Sequence, residues 1–144
     1  MNHWIINDIT TTPDSPPEFF SIKNPSYPQK FKQIQKKYYK DISPLKISAD
    51  PQQVFKIIQN TATQIPRWKI VGCDPMERKI EVVCTSYFFR FKDDIIIQVQ
   101  SLQNSSIVHM RSKSRIGKGD LGINAKRIRQ FLQLISKNFS NPIK

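Results

Sequence analysis

Apolar residues recur at helical intervals from Val54 to Ile65, and then at alternate positions across much of 68–116. The first pattern puts Val54, Phe55, Ile58, Ala62 and Ile65 along one side of a helix with 3.6 residues per turn. Asp50 can accept hydrogen bonds from that helix's free N–H groups, Pro51 suits its first position, and Pro66 ends it. Residues 68–73 then read as a strand, Asp74-Pro75 as the opening of a turn, and 79–85 as a strand with Ile80, Val82 and Cys84 on one face. Residues 88–92 and 94–100 read as two strands, or as one strand bent at Asp93-Asp94. A turn begins at Asn104-Ser105, and 107–116 forms the last strand. Gly117, Gly119 and Gly122 punctuate a loop. Gly122 or Asn124 then opens a helix carrying Ile128, Phe131, Leu132, Ile135 and Phe139 in one stripe.

The pattern is weaker before Asp50. Residues 10–29 hold five of the ten prolines and show no period, so 1–29 reads as an extended N-terminal arm, pinned to the body by Phe19, Phe20 and Tyr27. Phe31, Ile34 and Tyr38 keep helical spacing within 30–40, but a helix this short is marginal by itself. Consecutive strands joined by short turns pair antiparallel, and flanking helices pack on the sheet. The expected fold is α+β: two layers, a mainly antiparallel sheet of four to five strands, and two helices on one face. Residues 30–144 would form a single domain with its core in 48–139. This element order is similar to that of helix-grip lipid-binding domains, with too few strands for a closed cavity.

The length of 144 residues suits one domain, and 38% hydrophobic residues supply one core if part of the chain lies outside it as loop. No run approaches the ~18–20 apolar residues of a membrane span, so the chain reads as soluble. In a hairpin about Asp74-Pro75, Cys73 faces position 79 or 80 and Cys84 faces 68 or 69. That separation exceeds the roughly 7 Å Cα distance a disulfide tolerates. Both thiols are expected in the core and in a reducing compartment, which points to the cytoplasm.

Charge changes the picture more than composition does. The net +12 divides into +3 over 1–47, +1 over 48–104 and +8 over 105–144. A basic end of this kind attracts phosphate-rich partners or an anionic membrane, or it is simply a solvated face. Strand alternation puts Arg111, Lys113 and Arg115 in a row on one face, with Ser112 and Ser114 on the other. The candidate anion-binding residues are therefore Arg111, Lys113, Arg115, Lys118, Asn124 and Arg127. Asp120 and Asn124 bracket the start of the last helix, where they can cap it or contribute to an anion site. Adjacent strand residues point to opposite faces, so Asp93 and Asp94 do not converge as an acid/base pair. Pairing of one of them with Arg111 or Arg115 would fix strand register.

Nothing marks a catalytic centre, a metal site or a cofactor. His3 and His109 lack ligand spacing, and no nucleophile elbow, phosphate loop or zinc motif is present. The run 116–122 lacks the Gly-Lys-Ser/Thr order of a phosphate loop. Aromatic and basic residues interleave at 30–40 and 88–92, as single-strand nucleic-acid binders do. Phe at alternating strand positions fits core better.

The segment Phe89-Arg90-Phe91-Lys92-Asp93-Asp94, followed by Arg111-Ser112-x-Ser114-Arg115-x-Gly117-x-x-Asp120-Leu121-Gly122-x-Asn124-x-x-Arg127-Ile128, resembles a bacterial and plastid family, that of domain of unknown function 1499. Asn7-Asp8-Ile9-Thr10-Thr11 and Asp14-x-Pro16-Pro17-x-Phe19 resemble the start of one branch of it. Relatives in that branch can carry membrane helices upstream, which would make Trp4-Ile5-Ile6 the remnant of a junction and the protein membrane-peripheral. The resemblance implies membership and no activity. The residues themselves best fit a non-enzymatic module that binds an anionic protein, a membrane surface or a small molecule through its basic C-terminal region. A hydrophobic-ligand module is one alternative. An enzyme using Asp93/Asp94 with Arg111/Arg115 is the other.

Overall fold

The structure, a computed structural model, describes residues 6–22, 26–117 and 119–139. His3, Trp4, Ile5 and Lys118 lie outside the described residues. The elements run β1 (Asp8–Thr10), α1 (Gln29–Tyr38), β2 (Leu45–Ile47), α2 (Pro51–Gln64), β3 (Trp68–Asp74), β4 (Lys79–Thr85), β5 (Lys92–Leu102), β6 (Ser105–Ser114) and α3 (Ile123–Phe139). The fold is α+β, with an antiparallel sheet of six strands and three helices among the described residues rather than the expected four to five and two. Helix α1 is the stretch expected to be marginal, and its Ile34 is buried in the main core.

The sheet order is β1-β6-β5-β4-β3, and β2 also pairs with β6. Strands β3 to β6 form a meander, and the outer edge of β6 is shared. Its first half carries β2 through Ile47↔Ser106, and its second half carries β1 through Thr10↔Arg111. Both added strands are three residues long, too short for alternation to show in sequence. Residues 8–10, expected in an appended arm, therefore belong to the sheet. The edge of β1 is covered by Gln35, whose amide accepts from the Thr10 N–H and donates to the Thr10 carbonyl, both at 2.8 Å. A side-chain amide here takes the place of a neighbouring strand and satisfies an edge that would otherwise lie buried and unpaired.

Local signals placed the other elements. Asp50 Oδ2 caps α2 by accepting from the Gln52 and Gln53 N–H groups at 3.0 and 3.3 Å. Cross-strand register puts Val82 beside Ile95, Ile97 between Ile80 and Met110, and Val99 beside Val108. These residues and Cys84 join Val54, Phe55, Ile58, Ala62, Ala125, Ile128, Phe131 and Ile135 in one buried cluster. Burying each such aliphatic side chain contributes about 1.5–3 kcal/mol. Cys73 pairs with Ile80 and Cys84 with Trp68, so the thiols are separated as expected. Cys73 is exposed rather than in the core: it lies on the edge strand β3, with Gln59 of α2 reaching its Sγ at 3.3 Å.

One strand reading changes. Residues 88–91 are a turn between β4 and β5, and the strand starts only at Lys92. The Ser86 N–H donates to the Phe91 carbonyl (2.8 Å) and the Phe91 N–H to Ser86 Oγ (2.8 Å), closing the loop. Arg90 adopts φ 57°, a left-handed conformation incompatible with a continuous strand.

Candidate functional site

The opposite face of the sheet carries Glu81, Asp94, Ile96, His109, Arg111 and Lys113, and the segment between β1 and α1 crosses it. Arg111 is buried and forks onto Asp8, with Nε to Oδ1 at 3.0 Å and Nη2 to Oδ2 at 2.7 Å. The rings of Phe19 and Tyr27 flank the guanidinium at 5.4 and 5.5 Å. Burial pushes the Tyr27 phenol far above its ordinary range, so it stays a neutral donor, 2.6 Å from Gln35 Oε1. Glu81 is fully buried and accepts from the Phe20 N–H at 2.6 Å, the Ser21 N–H at 3.2 Å and the Ser21 hydroxyl. A Cβ added at Gly72 would sit 3.0 Å from the Phe20 ring, so the glycine lets the segment lie close to β3. His109 Nε2 lies 2.7 Å from Gln100 Oε1, and burial lowers its pKa, leaving the ring neutral at pH 7.

A second polar cluster lies under the start of α3. Asp120 accepts from the Gly122 and Asn124 N–H groups, so it caps the helix as its position suggested. Asn124 Nδ2 donates to Asp120 Oδ2 (2.7 Å) and Ser114 Oγ (2.9 Å), while its Oδ1 accepts from Ser112 Oγ (2.6 Å) and Arg127 Nη1 (2.9 Å). Arg127 also binds Asp93 Oδ2 at 2.8 Å. Each buried polar group here has a partner, as burial requires, and the small serines give Asn124 and Arg127 room to reach the sheet.

The expected anion row is therefore largely neutralised. Arg111 is held by Asp8, Arg115 by Asp94 through three hydrogen bonds of 2.9–3.2 Å, and Arg127 by Asp93. Arg129 is likewise held by Asp41, whose pKa the guanidinium lowers. Lys113 lies half-buried, in register with both Asp8 and Asp94. The Asn124 side chain is engaged by Asp120, Ser112, Ser114 and Arg127. Asp93 and Asp94 point to opposite faces, and Asp94 takes Arg115 while Asp93 takes Arg127, a partner alternation could not reveal. Among the described residues no three His, Cys, Asp or Glu side chains converge as a metal site.

The two carboxylates should differ in weight. Arg115 is 43% exposed, so losing Asp94 lets it turn to water, and Asp94→Ala should cost under about 1 kcal/mol. Asp93 and Arg127 are each 15% exposed and share the buried network, so Asp93→Ala should cost roughly 1–3 kcal/mol. Urea unfolding of the two variants measures the order, and equal losses would contradict it.

One of several open clefts lies at the end of the sheet where β3 begins and β4 ends. A cleft of about 460 Å3 runs between α3 and this corner, with Ile65, Pro66, Trp68, Ile123, Phe131 and Leu134 on its walls. Trp68 stacks on Phe131 with ring centres 5.3 Å apart. Arg67, Lys126, Arg127 and Gln130 also line the cleft. Reading the sequence alone missed this site, because Phe131 fits the helical core stripe and Trp68 reads as the start of a strand. The available hint was Arg67-Trp68 directly after a helix-ending proline.

The chain matches the family described as protein of unknown function (DUF1499) over residues 8–135. It belongs to the DUF1499 family. The match begins with β1 and ends within α3, so both polar clusters and the cleft fall inside the DUF1499 region. No curated protein matches the sequence. Among solved structures, the chain is similar to CalU16 from Micromonospora echinospora, at 10% identity over 69% of this chain and 74% of that one, with a TM-score of 0.47. It is also similar to the Zhui aromatase/cyclase from Streptomyces sp. R1128, at 14% identity over 67% and 83% of the two chains, with a TM-score of 0.37.

Proposed function

We propose that this DUF1499 protein is a binding module for a small amphiphile with an apolar body and an anionic head, held in the cleft between α3 and the β3–β4 corner. The observation that carries this reading is the cleft itself. Its volume of about 460 Å3 falls in the range of about 300–1,000 Å3 usual for small-ligand sites. Its walls are mostly apolar, while Arg67 and Lys126 are exposed cations without a carboxylate partner among the described ion pairs. An anionic head can meet those cations while its chain covers the Trp68–Phe131 stack. The earlier expectation of anion binding through Arg111, Arg115 and Arg127 gives way here, since those guanidinium groups already carry carboxylates.

Dodecanoate is a suitable probe, with dodecanol and dodecyltrimethylammonium as uncharged and cationic controls. Its binding should change Trp68 emission in a Trp4→Phe background, saturably, and more strongly than either control. Leu134 is partly exposed on the wall. Leu134→Glu should weaken dodecanoate by roughly ten- to a hundredfold, the worth of about 1.5–3 kcal/mol of apolar burial, with little change in melting temperature. Absence of saturable dodecanoate binding to the parent protein would overturn this reading.

A further inference from the structure

We infer that the loop at residues 86–92 is an anchor that docks this end of the protein on an anionic lipid bilayer. The ends of β3 to β6 that meet here are fixed by pairing: Trp68 lies opposite Cys84, Thr85 opposite Lys92, and Asp93 opposite Ser114. The Arg115 N–H donates to the Lys92 carbonyl at 3.1 Å, so the loop after β6 lies alongside as well. Tyr87, Phe88, Phe89 and Phe91 are 50–83% exposed, and Ile116, Leu121 and Ile123, in the stretch from the end of β6 to the start of α3, are also exposed. A cluster of this many exposed large apolar side chains at one end marks a surface that another phase or molecule covers.

Charge identifies the covering partner as anionic. Arg67, Lys69, Arg90, Lys92 and Lys126 are exposed at this end. Its carboxylates are spent internally: Asp93 on Arg127, Asp94 on Arg115, and Asp120 on the α3 cap. The turn at the other end of the hairpin is balanced, with Asp74 and Glu77 beside Arg78 and Lys79.

Aromatic rings bordered by Lys and Arg fit the interface of an anionic bilayer, where rings enter the headgroup region and cations meet lipid phosphates. Single-stranded nucleic acid would also supply negative charge. However, Phe89 and Phe91 already stack on each other at 5.5 Å, Tyr87 packs edge-on to Phe88, and Arg67 lies over the Tyr87 ring. The aliphatic Ile116, Leu121 and Ile123 offer a base no π-face to stack on, whereas acyl chains accommodate them equally well. Arg67 and Trp68 line both the cleft and the hollow beside the loop. Docking here would therefore bring the Arg67–Trp68 wall of the cleft close to the bilayer.

Sedimentation with vesicles tests the anchor independently of the cleft. Vesicles of phosphatidylcholine with one quarter phosphatidylserine should bind the full chain, and pure phosphatidylcholine vesicles should bind it far less. The Phe88→Ser/Phe89→Ser variant should lose at least about tenfold in partitioning at unchanged melting temperature, because both rings are exposed. Arg90→Glu/Lys92→Glu should lose a similar factor and flatten the salt dependence. The same charge change at the distant exposed residues Lys46 and Lys56 should alter partitioning by under about twofold, which separates an anchor from general attraction of a basic protein. Leu134→Glu should leave vesicle binding intact even where dodecanoate binding is lost, so the two readings fail separately. Three results would overturn the anchor: no binding to the phosphatidylserine vesicles, an unchanged ring variant, or equal loss in the Lys46/Lys56 control. Ring-dependent binding of poly(U) without vesicle binding would also overturn it and make the loop a nucleic-acid surface.

Discussion

Asp8→Ala should be the most damaging single change in the protein, lowering stability by about 3–5 kcal/mol, the usual cost of stranding a buried charge. Asp8 and Arg111 have side chains only 4% and 3% exposed, and the guanidinium is shut in by Phe19 and Tyr27. Without Asp8, Arg111 cannot reach water unless the segment over it opens. The cost should therefore exceed that of Asp93→Ala or Asp94→Ala, whose partners have more access to solvent. Joint replacement by Asp8→Leu and Arg111→Met removes both charges and should be less destabilising than either single change, since apolar groups of similar size often substitute for a buried pair. Urea unfolding with a two-state fit measures all of these. A loss below about 1 kcal/mol for Asp8→Ala would mean that the first strand lies outside the cooperative unit. The N-terminal residues would then be the appended arm that composition alone suggests.

The second large effect is expected at Glu81. Its carboxylate anchors the crossing segment by accepting two backbone N–H groups and one hydroxyl from Phe20 and Ser21. Hydrogen bonds to a charged group are worth about 1.5–3 kcal/mol each. Water can reach the freed N–H groups, since these bonds are only partly buried, so Glu81→Ala should cost about 2–4 kcal/mol in total. Glu81→Gln keeps one acceptor oxygen and should fall between the two. The local consequence is more telling than the global one. Under native conditions protease should cut within 12–29 faster in Glu81→Ala than in the parent protein, because the segment loses its tie to the sheet. An unchanged cleavage rate there would show that Phe19, Phe20 and Tyr27 hold the segment without Glu81.

Both effects involve a segment whose role could not be seen from its own residues. Five prolines and no period suggest irregular chain, and the described residues 11–22 and 26–28 hold no helix or strand, yet irregular chain can still be buried and bonded. Its cost in conformational entropy is met by contacts with Gly72, Glu81 and Arg111, which lie about fifty to ninety positions further along the chain. The loop at 86–91 is the converse case. Phe88, Phe89 and Phe91 look like core by composition, and a strand through them is locally reasonable. A hairpin turn falls there instead and leaves the rings outside, beyond the reach of the helices.

The amino-acid sequence by itself determined what depends on near neighbours. Asp50 and Pro51 started α2, Asp120 capped α3, the helical stripes chose buried faces, and alternation across 79–85 and 94–100 set which side of the sheet the helices cover. Those features follow from backbone geometry within a few residues, and pattern reports them directly. The family was also legible, from the run between Arg111 and Arg127. Only the tertiary structure decided where the charges go. The +8 of residues 105–144 reads as an open basic end along the chain, but Asp8, Asp41, Asp93 and Asp94 come from elsewhere to neutralise Arg111, Arg129, Arg127 and Arg115. Charge adds by position in sequence but acts by distance in space, screened between exposed groups over roughly 8–10 Å at ordinary salt. The same folding that spends those arginines leaves Arg67, Arg90, Lys92 and Lys126 around an apolar cleft and an exposed aromatic loop. No periodicity in the chain could announce that arrangement, because it is made by the ends of separate elements meeting at one corner of the sheet.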